Sequence, residues 1–166
     1  MQLPIHLHKI IYTPDNYSKC THTQLVNYFQ FNYYAEIFYY YFFSSRDIIL
    51  QLLNYYYSLG LKEDKVILNS SFVDKIVNQN VKDILLKFEE STKTANDYRN
   101  GFTHRFTPNI PDNRSSIIRD NMELKFNAGR FVSSDKIVEN INDSVRTLSN
   151  FIRDLKEYVN DNQNQT

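Results

Sequence analysis

A single cysteine, Cys20, stands in 166 residues, so no internal disulfide framework can form. One small, partly buried thiol in a reducing compartment is the plain expectation. Net charge is lacking too: 19 Lys and Arg balance 19 Asp and Glu, which excludes a global field that would draw in nucleic acid or an anionic membrane. Any basic patch must be local, and summing by segment gives about −1 for residues 1–98, about +3 for 99–130 and about −2 for 131–166. Apolar runs of membrane-spanning length are also missing, because Glu36 and Arg46-Asp47 interrupt the longest, and residues 1–9 carry no leader-like pattern. The chain therefore reads as a soluble, cytoplasmic protein with no membrane partner. Its length suits a single domain over residues 1–166, with a core at about 23–160.

Helix breakers are absent between Thr23 and Leu59, with Thr21 or Thr23 available as the N-cap and Gly60 suited to the left-handed position after the last turn. This predicts one long helix or two nearly collinear ones, interrupted if anywhere at Ser44-Ser45. Val26, Phe29, Tyr33, Ile37, Tyr40 or Tyr41, Ile48, Leu52 and Tyr55 form its expected apolar face. From Tyr28 to Phe43 the segment is aromatic enough to be apolar on more than one face, which predicts core packing plus a homodimer interface.

Residues 63–79 predict a weaker helix broken at Asn69-Ser70-Ser71, and residues 81–98 a clearer one through Val81, Ile84, Leu85, Phe88, Thr92, Ala95 and Tyr98. At 105–133 the character changes to an insertion, where alternation in 122–126 and 130–132 around Asn127-Ala-Gly129 predicts a small β-hairpin. Ser134 is the expected cap of a last helix whose seam is Ile137, Ile141, Val145, Leu148, Ile152, Leu155 and Val159. Residues 160–166 form a polar tail, expected to be disordered. Ahead of all this, residues 4–12 alternate as a short strand or an extended arm carrying His6 and His8, which lack a third ligand for a metal.

The helix over 81–98 runs into Arg99-Asn100-Gly101-Phe102-Thr103-His104, and here the residue types point to phosphodiester chemistry. A guanidinium grips phosphate oxygens in a bidentate fork, and an imidazole moves a proton near neutral pH. RNA cleavage through its own 2′-hydroxyl needs a base, an acid for the departing 5′-oxygen and positive charge against the phosphorane. One histidine cannot be base and acid in the same step, so one motif supplies half a site. In an ideal helix Arg99 and His104 diverge by about 140°. Either the helix unwinds at Gly101, or the two side chains reach around a cleft shared with a second copy. Asn100, one turn before His104, is placed to orient the imidazole or bind phosphate. No dense carboxylate cluster lies nearby in sequence, which argues against a two-metal nuclease, so no metal and no cofactor are expected.

Arg99-Asn100-x-x-x-His104 resembles the Arg-polar-x-x-x-His motif of the HEPN superfamily, and Ser44-Ser45-Arg46-Asp47 with the following apolar run is similar to bacterial members. The resemblance implies an all-α bundle of four to five helices, a symmetric homodimer and metal-independent endoribonuclease activity that leaves a 2′,3′-cyclic phosphate. Such proteins act as toxins and phage-defence effectors, some with a protein antitoxin or regulatory partner, and others are inactive nucleotide- or RNA-binding or protein-interaction modules. The implied catalytic set is Arg99, Asn100 and His104, with Arg105, Arg46, Arg114 and Arg119 as RNA-binding cations. In the subgroup paired with nucleotidyltransferase antitoxins the motif continues His-x-Tyr, whereas Phe106 stands at that tyrosine's place here. The alternative reading makes Arg99 and His104 surface cations that complement a helix C-terminus.

Overall fold

The computed structural model describes residues 21–104, 107–109, 115–118, 123–126 and 132–163. Among them the fold is all-α, built from α1 (His22–Tyr56), α2 (Ser70–Lys75), α3 (Gln79–Ser91), α4 (Lys93–His104) and α5 (Ser134–Gln163). A short hairpin of β1 (Ser115–Ile118) and β2 (Glu123–Phe126) lies within the insertion. The chain forms two compact units, Met1–Ile37 with Asp97–Asn140, and Phe38–Asn96 with Ile141–Thr166.

The second of these is held by aromatic stacking. Phe38, Phe42, Phe88 and Phe151 follow one another in near-parallel contact, with centroid separations of 5.9, 6.1 and 4.2 Å. They come from α1, α3 and α5, so one column of rings ties three helices together through large buried apolar surfaces. Leu50, Leu53, Leu85 and Leu155 complete that core. The start of α2 is set by Asn69, whose carboxamide oxygen accepts from Phe72 N at 2.9 Å, and α3 starts at Asn78 in the same way. Capping of this kind satisfies first-turn N–H groups that have no helical partner.

The first unit begins α1 with a capping box. Thr21 Oγ1 accepts from Gln24 N at 3.3 Å, and Thr21 N donates back to Gln24 Oε1 at 2.8 Å. Tyr28, Phe31, Ala35 and Phe102 are its buried apolar residues on α1 and α4, and Ile137 at the start of α5 is fully buried.

Helix α1 is the single long helix that the sequence allows, and it passes through Ser44-Ser45, where Ser45 Oγ donates to Tyr41 O at 2.8 Å. Several other sequence expectations are corrected. Its buried face is Tyr28, Phe31, Asn32, Ala35, Tyr39, Phe42, Phe43, Leu50 and Leu53, whereas Val26, Phe29, Tyr33, Tyr40, Tyr41, Ile48, Leu52 and Tyr55 of the expected set are exposed. The left-handed residue after the helix is Ser58 at φ 51°, with Leu59 N bonded to Asn54 O and Ser58 N to Tyr55 O, both at 3.0 Å. That is a Schellman closure carried by a non-glycine residue, and Gly60 follows with its own positive φ of 66°.

The single helix expected over 81–98 is two, parted at Thr92, whose hydroxyl and main-chain N–H both donate to Phe88 O, at 2.8 and 3.1 Å. In the insertion, Ser115 pairs with Phe126 and Ile118 with Glu123, so 123–126 is a strand paired with the residues before it, while 130 and 131 of the expected second arm lie outside the described residues. The cap of α5 is Ser133, which accepts from Lys136 N at 3.4 Å, in place of Ser134. Along α5, Val145 and Ile152 are exposed and Ser144 and Phe151 take their places in the buried seam. The helix continues to Gln163, into the segment expected to be a disordered tail. The expected strand at 4–12 lies outside the described residues.

Candidate functional site

Helix α4 carries the motif near its C-terminal end. It remains helical through Gly101 to His104, so the unwinding that would bring Arg99 and His104 to one spot does not occur. Phe102, buried, fixes the rotation of the helix in the first unit, and Arg99 and Asn100 are then half-buried. Thr103 Oγ1 donates to Arg99 O at 2.8 Å, satisfying a carbonyl near the helix end.

Next to Arg99, the Tyr98 phenol is pushed above its usual value of 10.0, first by burial and then by the carboxylates of Asp97 and Glu139. Tyr98 is therefore a neutral hydroxyl at physiological pH.

The segment after the motif is anchored by a buried polar cluster that sequence reasoning missed. Asn109 is almost fully enclosed, its Nδ2 donates to Asn32 Oδ1 at 2.6 Å, and Tyr28 Oη donates to Asn109 O at 3.2 Å. Val132 N donates to Pro108 O at 2.9 Å and closes the base of the insertion. Thus the chain leaving α4 is pinned to α1 within five residues of His104. The one available signal was Tyr28 and Asn32 at i, i+4 in an otherwise aromatic stretch, since a polar residue at that spacing on a buried face requires a partner.

Arg46 lies on α1. Its Nε and Nη2 both donate to Asp47 Oδ1, at 2.9 and 2.6 Å, and its guanidinium lies over the Phe43 ring at 4.8 Å. With the side chain only 18% exposed, Arg46 is part of the packing of α1 rather than an open cation. Arg105, Arg114 and Arg119 lie outside the described residues. A cleft of about 150 Å³ opens over Phe88 and Phe151, between α3 and α5, and no motif residue lines it. Among the described residues no three His, Cys, Asp or Glu side chains gather into a set that could hold a metal ion, and no helix is long and apolar enough to cross a membrane.

Comparison with known proteins yields a family but no individual relative. No curated protein and no solved structure matches the chain. A family model described as Cthe2314-like HEPN matches residues 5–160, which takes in all five helices apart from the last residues of α5, the insertion and the whole of the Arg99-to-His104 motif. The chain belongs to this HEPN family.

Proposed function

We propose that the protein is a homodimeric, metal-independent endoribonuclease whose active site is assembled from two copies of the motif. The observation that carries this reading is the unbroken course of α4 through Gly101 in a chain of the HEPN family. HEPN domains are generally associated with nucleases and commonly dimerise. With the helix intact, Arg99 and His104 lie about 140° apart around it. A second copy supplies the second proton carrier that cleavage requires.

In this mechanism one His104 imidazole takes the proton of the 2′-hydroxyl as its oxygen attacks phosphorus. The imidazolium of the other copy gives a proton to the departing 5′-oxygen. The products are a 2′,3′-cyclic phosphate and a 5′-hydroxyl. Arg99 neutralises the phosphorane oxygens with its fork of N–H donors, and Asn100 orients the imidazole one turn later. Arg105, Arg114 and Arg119 track the RNA backbone as local cations on a chain without net charge. A toxin or phage-defence role, with a protein antitoxin or regulatory partner, fits such an activity.

The test is cleavage of total RNA in EDTA by the wild type, His104→Ala and Arg99→Ala. Each substitution is expected to lower the rate by about 100-fold or more. A wild-type activity that rises and falls around neutral pH is expected as well, because one histidine must be neutral while its mate is protonated. Activity that survives both substitutions overturns the site. A wild type that binds RNA or nucleotide without cleaving it makes the protein an inactive HEPN binding module instead.

A further inference from the structure

Asn100 carries a reactive bond arrangement that its helix holds in check. Of the three glycines only Gly101 follows an asparagine, and Asn100-Gly101 lies inside α4 with both residues half-buried. Because glycine has no Cβ, the main-chain nitrogen of Gly101 meets little hindrance in reaching the carboxamide carbon of Asn100. Two features of α4 oppose that approach. The helix holds ψ of Asn100 in the range of about −42°, which keeps Gly101 N out of line with the carboxamide, and the Gly101 N–H is engaged in the i→i−4 ladder. We propose that Asn100 is a site of spontaneous deamidation, gated by opening of the last turn of α4.

The step balances with water as the one co-reactant. When the turn opens, solvent base takes the proton of the Gly101 amide and the nitrogen attacks Asn100 Cγ. The Cγ–Nδ2 bond breaks, the leaving nitrogen takes up a proton and departs as ammonia, and a five-membered succinimide remains. Water then adds to either ring carbonyl and breaks its bond to the ring nitrogen. The product is aspartate or, where the main chain now runs through the side-chain carbon, isoaspartate. The net reaction is hydrolysis of one amide to a carboxylate and ammonia, with nothing oxidised or reduced.

The gate lies at the helix end. Gly101 is three residues from the close of α4 at His104, and the chain beyond is pinned by Asn109, through Asn32 Oδ1 at 2.6 Å and Tyr28 Oη at 3.2 Å. Helix ends open at far lower cost than a whole fold, so that pin sets how often the turn lets Asn100 react. Conversion also reinforces itself. A carboxylate at position 100 stands three residues after Asp97 on one helix face and toward the negative end of the helix dipole, and both effects weaken the turn that protected the amide. Isoaspartate lengthens the main chain by a methylene and breaks the ladder there. In the nuclease reading, on which this last consequence rests, an anion replaces a neutral group where phosphate must bind, and deamidation ends turnover.

The experiment follows a one-dalton gain at residue 100 of the full chain by peptide mass spectrometry, in mildly alkaline buffer and without RNA. The folded wild type is expected to convert, and the chain unfolded in guanidinium chloride to convert about 10-fold faster or more. Gly101→Ala is expected to suppress conversion in both states, because the added Cβ hinders ring closure. Asn109→Ala, which unpins the segment after α4, is expected to speed conversion of the folded chain by about 10-fold, whereas a low guanidinium concentration that lowers global stability equally is expected to leave the wild-type rate nearly unchanged. Equal rates in the folded and unfolded chains overturn the proposal. So does a folded rate that tracks global stability, or a residue 100 that stays unconverted in folded wild type and Asn109→Ala while the unfolded chain converts. The two readings fail separately. Conversion on this schedule in a protein that never cleaves RNA removes the nuclease and leaves the gate, and cleavage that His104→Ala abolishes, in a folded chain whose residue 100 never converts, does the reverse.

Discussion

The two units of this chain hold the same long helix by opposite means. Residues 38–56 of α1 are fixed by stacked rings, through Phe42 on Phe88 and Phe88 on Phe151. Residues 22–37 are fixed in part by a buried hydrogen-bonded cluster, Tyr28, Asn32 and Asn109. Rings keep most of their apolar burial through small shifts, whereas a buried amide pair admits few geometries and penalises every other. The polar cluster occurs in the unit that carries the motif, where the chain leaving α4 must follow a defined path.

The sharpest way to break this comparison is to remove the central ring of the column. Phe88 is buried and contacts rings on both sides, so Phe88→Ala forfeits transfer energy and leaves a cavity between helices. A loss of about 3–5 kcal/mol is expected, a large part of the total stability of a chain this size, read as a lower midpoint in urea denaturation. A smaller loss than that of the next substitution would reverse the assignment of roles.

Asn109→Ala tests the other side. It strips Asn32 Oδ1 of its donor and leaves a buried amide unsatisfied, at an expected cost of about 1–3 kcal/mol. The conservative partner substitution Asn32→Ala is expected to be non-additive with it, with a coupling of about 0.5–3 kcal/mol in a double-mutant cycle, because each change removes the reason for the other's penalty. Additive losses would mean that the 2.6 Å contact contributes nothing of its own.

Much of this organisation was legible in residue order, for identifiable reasons. Thr21 was one of the two caps the residue order offered for α1, and the break expected at Asn69-Ser70-Ser71 within 63–79 is where α2 starts, because the asparagine side chain takes a first-turn amide. The family was legible at Arg99-Asn100-x-x-x-His104, because the resemblance rests on particular residue types at particular spacings. The inward face of α1 was not. Where Tyr28 and Phe29, or Tyr39 and Tyr40, adjoin, hydrophobicity is equal on both sides and only the partner helices decide. The break at Thr92 was hidden because a threonine fits the apolar repeat as well as it ends it. Asn109 was invisible for a third reason. Its partners lie 77 and 81 residues away in sequence, and no local pattern encodes a contact of that range.

The smallest expected effect separates the same two regions by titration. Tyr57, in the ring-stacked unit, is raised above 10.0 by burial and then by the neighbouring Tyr56. Tyr98, in the motif unit, is raised by burial and then by Asp97 and Glu139. A phenol whose folded pKa lies above its unfolded value binds its proton more tightly in the native state. Its stabilising share is therefore complete below about pH 10 and is lost as pH rises through the folded value. Stability is expected to fall above pH 10 in urea denaturation, less steeply in Tyr98→Phe and Tyr57→Phe. Glu139→Gln removes one carboxylate from Tyr98 and none from Tyr57. Carbon-13 tyrosine titration should then show the Tyr98 midpoint move down toward the ordinary value while burial keeps it above, and the Tyr57 midpoint stay where it was. Equal movement of both would mean that Glu139 acts on the whole fold rather than on Tyr98.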